Sequence, residues 1–357
     1  MRRRGGSDLE ELVPAPAPDA EVWGVALLDA LAAVVGTELA FATSLVPLPH
    51  HEGPWAFGCE LAPLGGGSVP PGWTGPLVVR VADAPQETAR ELAAIEANGA
   101  GGLGAPRVLA SVLLDNSGAG AGPVARSALV TAPPPGTPLP ELIGYNLHQS
   151  SELLDGFAHH HAAIGSLPVR DLEGVPTIAV ADELARIDRA QFGEQLDWLE
   201  ARIPGPGPLV LCHGGYQPLC VSGPGPEGWD AVGGPGHGLS VTNWGGAVLA
   251  EREFDVAFTL VAFWFAPHFA PNRSERTAIK MIRNTLSNTY KLAYEEAVPL
   301  DGDRLRFWQA FHAVRGMARV AAAYDTEGSP FATGDRGPLP GVLGPELGRY
   351  FRMQHRP

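Results

Sequence analysis

The chain has 357 residues, enough for one large domain or for two lobes with separate cores. A formal charge of −14 argues against a nucleic-acid or anionic-membrane surface, and 45% hydrophobic with 18% charged residues is an ordinary globular balance. Cys59, Cys212 and Cys220 give no disulfide framework and point to a reducing cytoplasm; no apolar stretch reaches the ~18 residues of a membrane span.

Residues 1–20 read as a loose Pro/Ala/Asp tail. The basic start, Met1 to Gly6, leads into Asp8, Glu10 and Glu11 and not into an apolar core, which argues against a secretory signal. From Glu21 to Leu39, Val22, Leu27, Leu28, Leu31, Val34 and Val35 recur at helical spacing and predict a helix. Glu60–Leu64 is strand-like, and Leu77–Val81 is more clearly so, being short, β-branched and bounded by Gly75-Pro76. Pro85 opens a helix to about Asn98, stopped by glycines 99, 101 and 102. Ala105–Leu114 and Ser127–Ala132 read as further strands, with a Gly/Ala turn at Asn116–Gly122, so that residues 21–132 make a small strand-rich lobe.

Pro133–Pro140, PPPGTPLP, reads as a hinge without regular structure. Residues 141–325 form a larger helical lobe, with helices at Leu147–Ile164, Val180–Arg202, Asp255–Phe265, Ser274–Ala297 and Asp303–Tyr324. Two strand-like pieces interrupt it, Leu209–Gly214 and Leu239–Trp244, with a Gly-rich turn or insertion at 223–238 between them. Residues 326–357 are a Pro/Gly-rich tail with one helical patch near Pro345–Met353.

Phosphoryl transfer needs a cation on the phosphates, oxygen ligands for Mg²⁺ and an acid residue that orients the attacking hydroxyl. Two segments stand out against that requirement: LCHGGYQPLC, Leu211–Cys220, and VTNWGGAVLAEREFDVAFTL, Val241–Leu260. Earlier in the chain come Arg80 in LVVRV, Glu91 in ARELAAIEAN and His161 in FAHHHAAIGSLP. In this order and spacing, over residues 77–265, the chain resembles the aminoglycoside/choline-kinase-type phosphotransferase family. Its signature runs His-Gly-Asp, four residues, Asn, then Asp-Trp/Phe-Glu and a downstream Asp-x-Ala helix. The resemblance implies an α+β, bilobal protein-kinase-like fold with a small β-rich N-lobe and a larger, mostly helical C-lobe. It also implies that Arg80 and Glu91 form a nucleotide or anion pair, and that Asp255 braces the catalytic loop with His213 as its neighbour, while His161 reads as a helix-packing residue.

The departures fall on the chemistry. Gly215 stands where the family has its catalytic Asp, and glycine has nothing that can accept a hydroxyl proton. Cys220 replaces the Mg²⁺-binding Asn, and a thiol is a poor partner for a hard cation. Asn243 replaces the metal-binding Asp, keeping a carbonyl oxygen but losing the charge. Cys212, Cys220 and one His make no zinc spacing, and no metal site is expected. The reading is a degraded, pseudokinase-like member that binds a small molecule or a protein partner in the inherited cleft, with no nucleic-acid or membrane partner.

Two alternatives stay open. In one, the cleft is repurposed for other chemistry on an organic substrate, lined by His213, Tyr216, Cys220, Asn243 and Arg80. In the other, a substitute carboxylate sustains residual phosphotransfer: Asp230 in the Gly-rich insertion, or Glu251 and Glu253, which read as surface or hinge carboxylates. No resident cofactor is expected, with Mg²⁺-ATP kept only as the weaker alternative. The aromatic-rich residues Trp264, Phe265, His268, Phe269, Trp308, Phe311 and His312 read as helix packing, with an enlarged aromatic ligand cleft as the alternative.

Overall fold

The computed structural model describes residues 20–48, 55–114, 126–145, 150–169, 172–224, 238–269, 273–325 and 339–354. The expected turn at Asn116–Gly122 and the candidate Asp230 lie outside them.

The chain opens with α1 (Ala20–Val35), whose Trp23, Leu27 and Leu31 recur at helical spacing and are fully buried. The sequence pattern predicts a helix as far as Leu39, but it stops at Val35. Gly36, at φ 76°, supplies the left-handed residue that ends the helix, and the next residues form β1 (Leu39–Pro47). Then follow β2 (Trp55–Pro63), β3 (Leu77–Ala82), α2 (Pro85–Ala100), β4 (Val108–Leu114) and β5 (Arg126–Thr131). The five strands make one antiparallel sheet in the order β1-β2-β3-β5-β4. The pleat of β3 sends Leu77, Val79 and Val81 into the core against α1, and turns Val78 and Arg80 to the opposite face. That alternation aims Arg80 at the cleft.

Residues 133–140 are more ordered than their prolines suggest. Thr137–Pro138 forms β6, and α3 (Leu139–Tyr145) begins directly after it. Pro140 lies in the first turn of that helix, where the missing N–H has no intrahelical partner to lose. Next come α4 (Ser150–Ile164), α5 (Val180–Ala185) and α6 (Arg189–Glu200). The single helix expected over 180–202 is broken because Asp188 caps a new one, its carboxylate accepting from Ala190 N at 2.8 Å.

The following short strands are β7 (Val210–Cys212), β8 (Val221–Gly223), β9 (Ser240–Val241) and β10 (Val248–Ala250). β7 pairs with β10, and β8 lies between β6 and β9. The remaining helices are α7 (Arg252–Phe265), α8 (Arg273–Ala297), α9 (Gly302–Asp325) and α10 (Leu339–Gln354). The last extends well beyond the expected patch and buries Leu347, Tyr350 and Phe351 in the helical core.

Two apolar cores result. The smaller lies between α1 and the sheet; the larger fills the helical region and takes in Ala94 and Ile95 of α2 and Leu129 of β5. The sheet is thus covered on both faces, and α2 is the element that ties it to the helices. Trp308, Phe311 and His312 are buried around Phe254, so these C-terminal aromatics pack helices. No helix among the described residues is long and apolar enough to cross a membrane.

Candidate functional site

The cleft is built around one ion pair. Arg80 Nε lies 2.8 Å from Glu91 Oε2, and the side chains are only 11% and 5% exposed. Burial pushes the Glu91 carboxyl up, opposed by the Arg80 charge and by hydrogen bonds from Arg80 and the Trp244 backbone amide. Gly245 passes so close that a Cβ there would stand 3.2 Å from Arg80 Nη2. The segment after β9 is therefore laid directly against the pair.

A second group of contacts fixes the loop after β7. Asp255, in the first turn of α7, accepts from His213 N at 2.6 Å with Oδ2 and from Gly214 N at 3.0 Å with Oδ1. His161 Nε2 donates to Oδ2 at 3.0 Å, and its Nδ1 is 2.6 Å from the Tyr290 hydroxyl. Burial alone would raise the Asp255 carboxyl, but His161 and the His213 amide hold it below its ordinary value. His213 Nε2 donates to Thr242 O at 2.8 Å, and burial pushes the ring down to about 4, so it stays neutral. Gly214 sits at φ 79° with Gly246 O where a Cβ would be, a close approach that only glycine permits. β7, α4, α7 and α8 thus hold the loop 213–215 rigidly.

Of the three positions where the family resemblance breaks, Cys220 touches the other two. Cys220 Sγ lies 3.8 Å from Gly215 O and 3.8 Å from Asn243 Nδ2. Asn243 is left-handed, at φ 70° and ψ 48°, a conformation Asn tolerates better than most residues, and its buried Oδ1 has no partner among the described residues. Magnesium demands about six hard oxygen ligands and favours carboxylates. Here a glycine, a thiol and one neutral amide oxygen converge, and no group of three or more His, Cys, Asp or Glu among the described residues could hold a metal ion. The donor set does not fit Mg²⁺.

Two cavities flank this cluster and share Arg80, Glu91 and Asn243. One, of about 240 Å³, is largely apolar, with Val78, Ile95, Leu219 and Val221 in its wall together with Cys220. The other, of about 260 Å³, lies between α2, the loop 214–215, the segment 243–246 and α9.

Several candidates fall elsewhere. Tyr216 is fully buried and lines neither cavity: it stacks on His161 at 3.9 Å and donates its hydroxyl to Phe157 O at 3.0 Å. Glu251 and Glu253 are buried and not on the surface. Glu251 accepts from Arg304 and from Trp308 Nε1, and Glu253 accepts from Asp301 N at 3.0 Å, so neither serves the cleft. Cys212 is buried behind the loop, its thiol directed at the Glu251 carbonyl at 3.6 Å. Sequence reasoning overlooked Glu87, Arg90, Arg315 and Arg319, which all line the second cavity. The available signal was helical spacing: Glu87, Arg90 and Glu91 share one face of α2, and Arg315 and Arg319 share one face of α9.

The chain is similar in structure to several solved phosphotransferases. A thermostable mutant of aminoglycoside phosphotransferase APH(4)-Ia aligns with TM-score 0.57 at 15% identity, covering 87% of this chain and 94% of its own. The chain has the protein-kinase-like fold. Amicoumacin kinase hAmiN, solved with AMP-PNP, Ca²⁺ and Ami, aligns with TM-score 0.57 at 10% identity, over 87% of this chain and 88% of its own. The type VIII aminoglycoside-3'-phosphotransferase gives TM-score 0.51 at 18% identity, over 79% and 96%. No protein-family model matches the chain, and no curated protein does.

Proposed function

We propose that this chain is a small-molecule-binding protein that retains the frame of a phosphotransferase without Mg²⁺-ATP phosphoryl transfer. The observation that carries this reading is that Cys220 contacts both Gly215 and Asn243, a neutral cluster where the transfer chemistry needs carboxylates. Losing one preorganised charged or hydrogen-bonding group raises a barrier by about 2.7–4 kcal/mol. Losses within one catalytic unit are not additive, but three of them leave no base and no charged metal ligand in the loop. The intact brace around Asp255 and the two adjoining cavities, which share Arg80, Glu91 and Asn243, support a cleft that still binds.

Calorimetry with ATP and ADP, each with and without Mg²⁺, tests the reading. It expects magnesium to add nothing to the affinity of either nucleotide. A tenfold or greater tightening of ATP by Mg²⁺ would overturn it.

One observation supports a second reading, residual phosphotransfer: Glu87 lines the same cavity as Gly215 and Asn243. Under that reading, Glu87→Gln would abolish a Mg²⁺-dependent ATP turnover present in the wild type.

A further inference from the structure

The sheet and the helical region are joined at more places than the chain connection between them. At that connection β6 pairs with β8, and Ser222 Oγ donates to Pro135 O at 3.1 Å. On the cleft wall, Arg90 Nη1 donates to Gly245 O at 3.4 Å. A further contact lies where α2 gives way to β4. Gly104 forms a parallel bridge with Ser240 of β9, and its carbonyl accepts from Val241 N at 3.2 Å. The same carbonyl accepts from Asn98 Nδ2 at 2.8 Å, which occupies its second lone pair.

This contact is dry and tight. Asn98 and Ser240 are both buried. A Cβ at position 104 would stand 2.0 Å from Leu239 O and 2.9 Å from the Leu239 carbonyl carbon, so only glycine permits the approach. β9 leads directly into Thr242, whose carbonyl holds His213 Nε2 at 2.8 Å, and into Asn243, which lines both cavities. On the other side, Asn98 belongs to the same helix as Arg90 and Glu91. The bridge therefore ties the helix of one cleft wall to the strand of the other through backbone. A hinge rotation about residues 133–140 would leave the β6–β8 pairing in place but pull Gly104 away from β9. Buried backbone groups would then face a gap without partners, which is costly.

Two-lobed proteins commonly open and close about a few connecting residues. We propose that the Gly104 bridge is a clasp that removes this freedom, so that the cleft keeps a fixed width and a ligand enters without an opening of the lobes. Asn98 is the positioning residue of the clasp, since it holds the Gly104 carbonyl from within α2. The clasp stands whether or not the cleft transfers phosphate, because none of its groups belongs to the loop 213–215.

Double electron–electron resonance tests it in the full-length protein, with spin labels on Val25→Cys in α1 and Leu292→Cys in α8. Both positions are exposed, at 61% and 62%, while the native Cys59, Cys212 and Cys220 are buried away from the label. The expected result for this labelled parent is one narrow distance. Gly99→Ala, where nothing lies within 4 Å of the added methyl, should keep that distance, and Gly104→Ala should add a longer one. Melting curves verify that each variant is folded. If Gly104→Ala does not fold, Asn98→Ser, which removes the bond to Gly104 O, takes its place with the same expected shift. A parent that already shows two distances, or a clasp variant whose distance distribution matches the parent's, would overturn the proposal.

Discussion

Replacing Asp255 with Asn probes the element that holds the loop in place. The carboxylate accepts from the His213 and Gly214 amides at 2.6 and 3.0 Å and from His161 Nε2 at 3.0 Å, all buried. An Asn of the same shape offers one oxygen and one NH₂, so at least one of these donors faces another donor. Hydrogen bonds to a charged group contribute about 1.5–3 kcal/mol each, and breaking a buried charge pair from one side costs about 3–5 kcal/mol. Asp255→Asn should therefore lose about 3–5 kcal/mol at pH 7. Denaturant titration reads this as a lower midpoint at unchanged slope. Because the Asp255 carboxyl is held below its ordinary value of 3.8, its contribution is complete above that pH and is lost as pH falls through the folded-state value. The gap between variant and wild type should narrow in the same direction. A loss under about 1 kcal/mol at pH 7 would refute the brace, since ordinary surface changes stay within about 0.5 kcal/mol.

Three buried histidines set a second pH dependence. Burial pushes His160 and His213 down to about 4 and His312 to about 3, from an ordinary 6.5. The unfolded chain then takes up protons that the folded one refuses, so each can remove up to about 1.4 kcal/mol per pH unit as pH falls below 6.5. His312→Asn should flatten that acid limb by about a third in denaturation at pH 7, 6 and 5; an unchanged slope would refute the assignment. Gly214→Ala should destabilise far more than Gly65→Ala. Both glycines have positive φ, a strain of about 1–2 kcal/mol for alanine, but only at 214 does a Cβ meet backbone, 1.9 Å from Gly246 O, while at 65 nothing lies within 4 Å. Equal midpoint shifts for the two variants would contradict the close approach.

What the sequence makes legible is local or ordered along the chain. The alternation of PLVVRV aims Arg80 away from the core, and the helical frame of α2 presents Glu91 to it. The motif around His213 and the helix carrying Asp255 announce the brace. Tyr216 follows Gly215 directly and was expected in the cleft. Its burial depends on His161 and Phe157, more than fifty residues away, which no local pattern exposes. The second cavity was missed for the same reason: Arg90 of α2 and Arg315 of α9 come to line it together only once α9 has packed against the helical core. β1 was not foreseen: the expected helix ran to Leu39, where the strand begins, and one left-handed glycine, Gly36, ends α1 before it.

The most direct measurement is phosphate release from ATP with Mg²⁺, by the wild type and by Glu87→Gln, at high enzyme concentration. The account predicts that the wild type does not exceed the uncatalysed background and that Glu87→Gln is indistinguishable from it. Magnesium-dependent turnover by the wild type that disappears in Glu87→Gln would contradict the account, and would make α2 the source of the missing carboxylate.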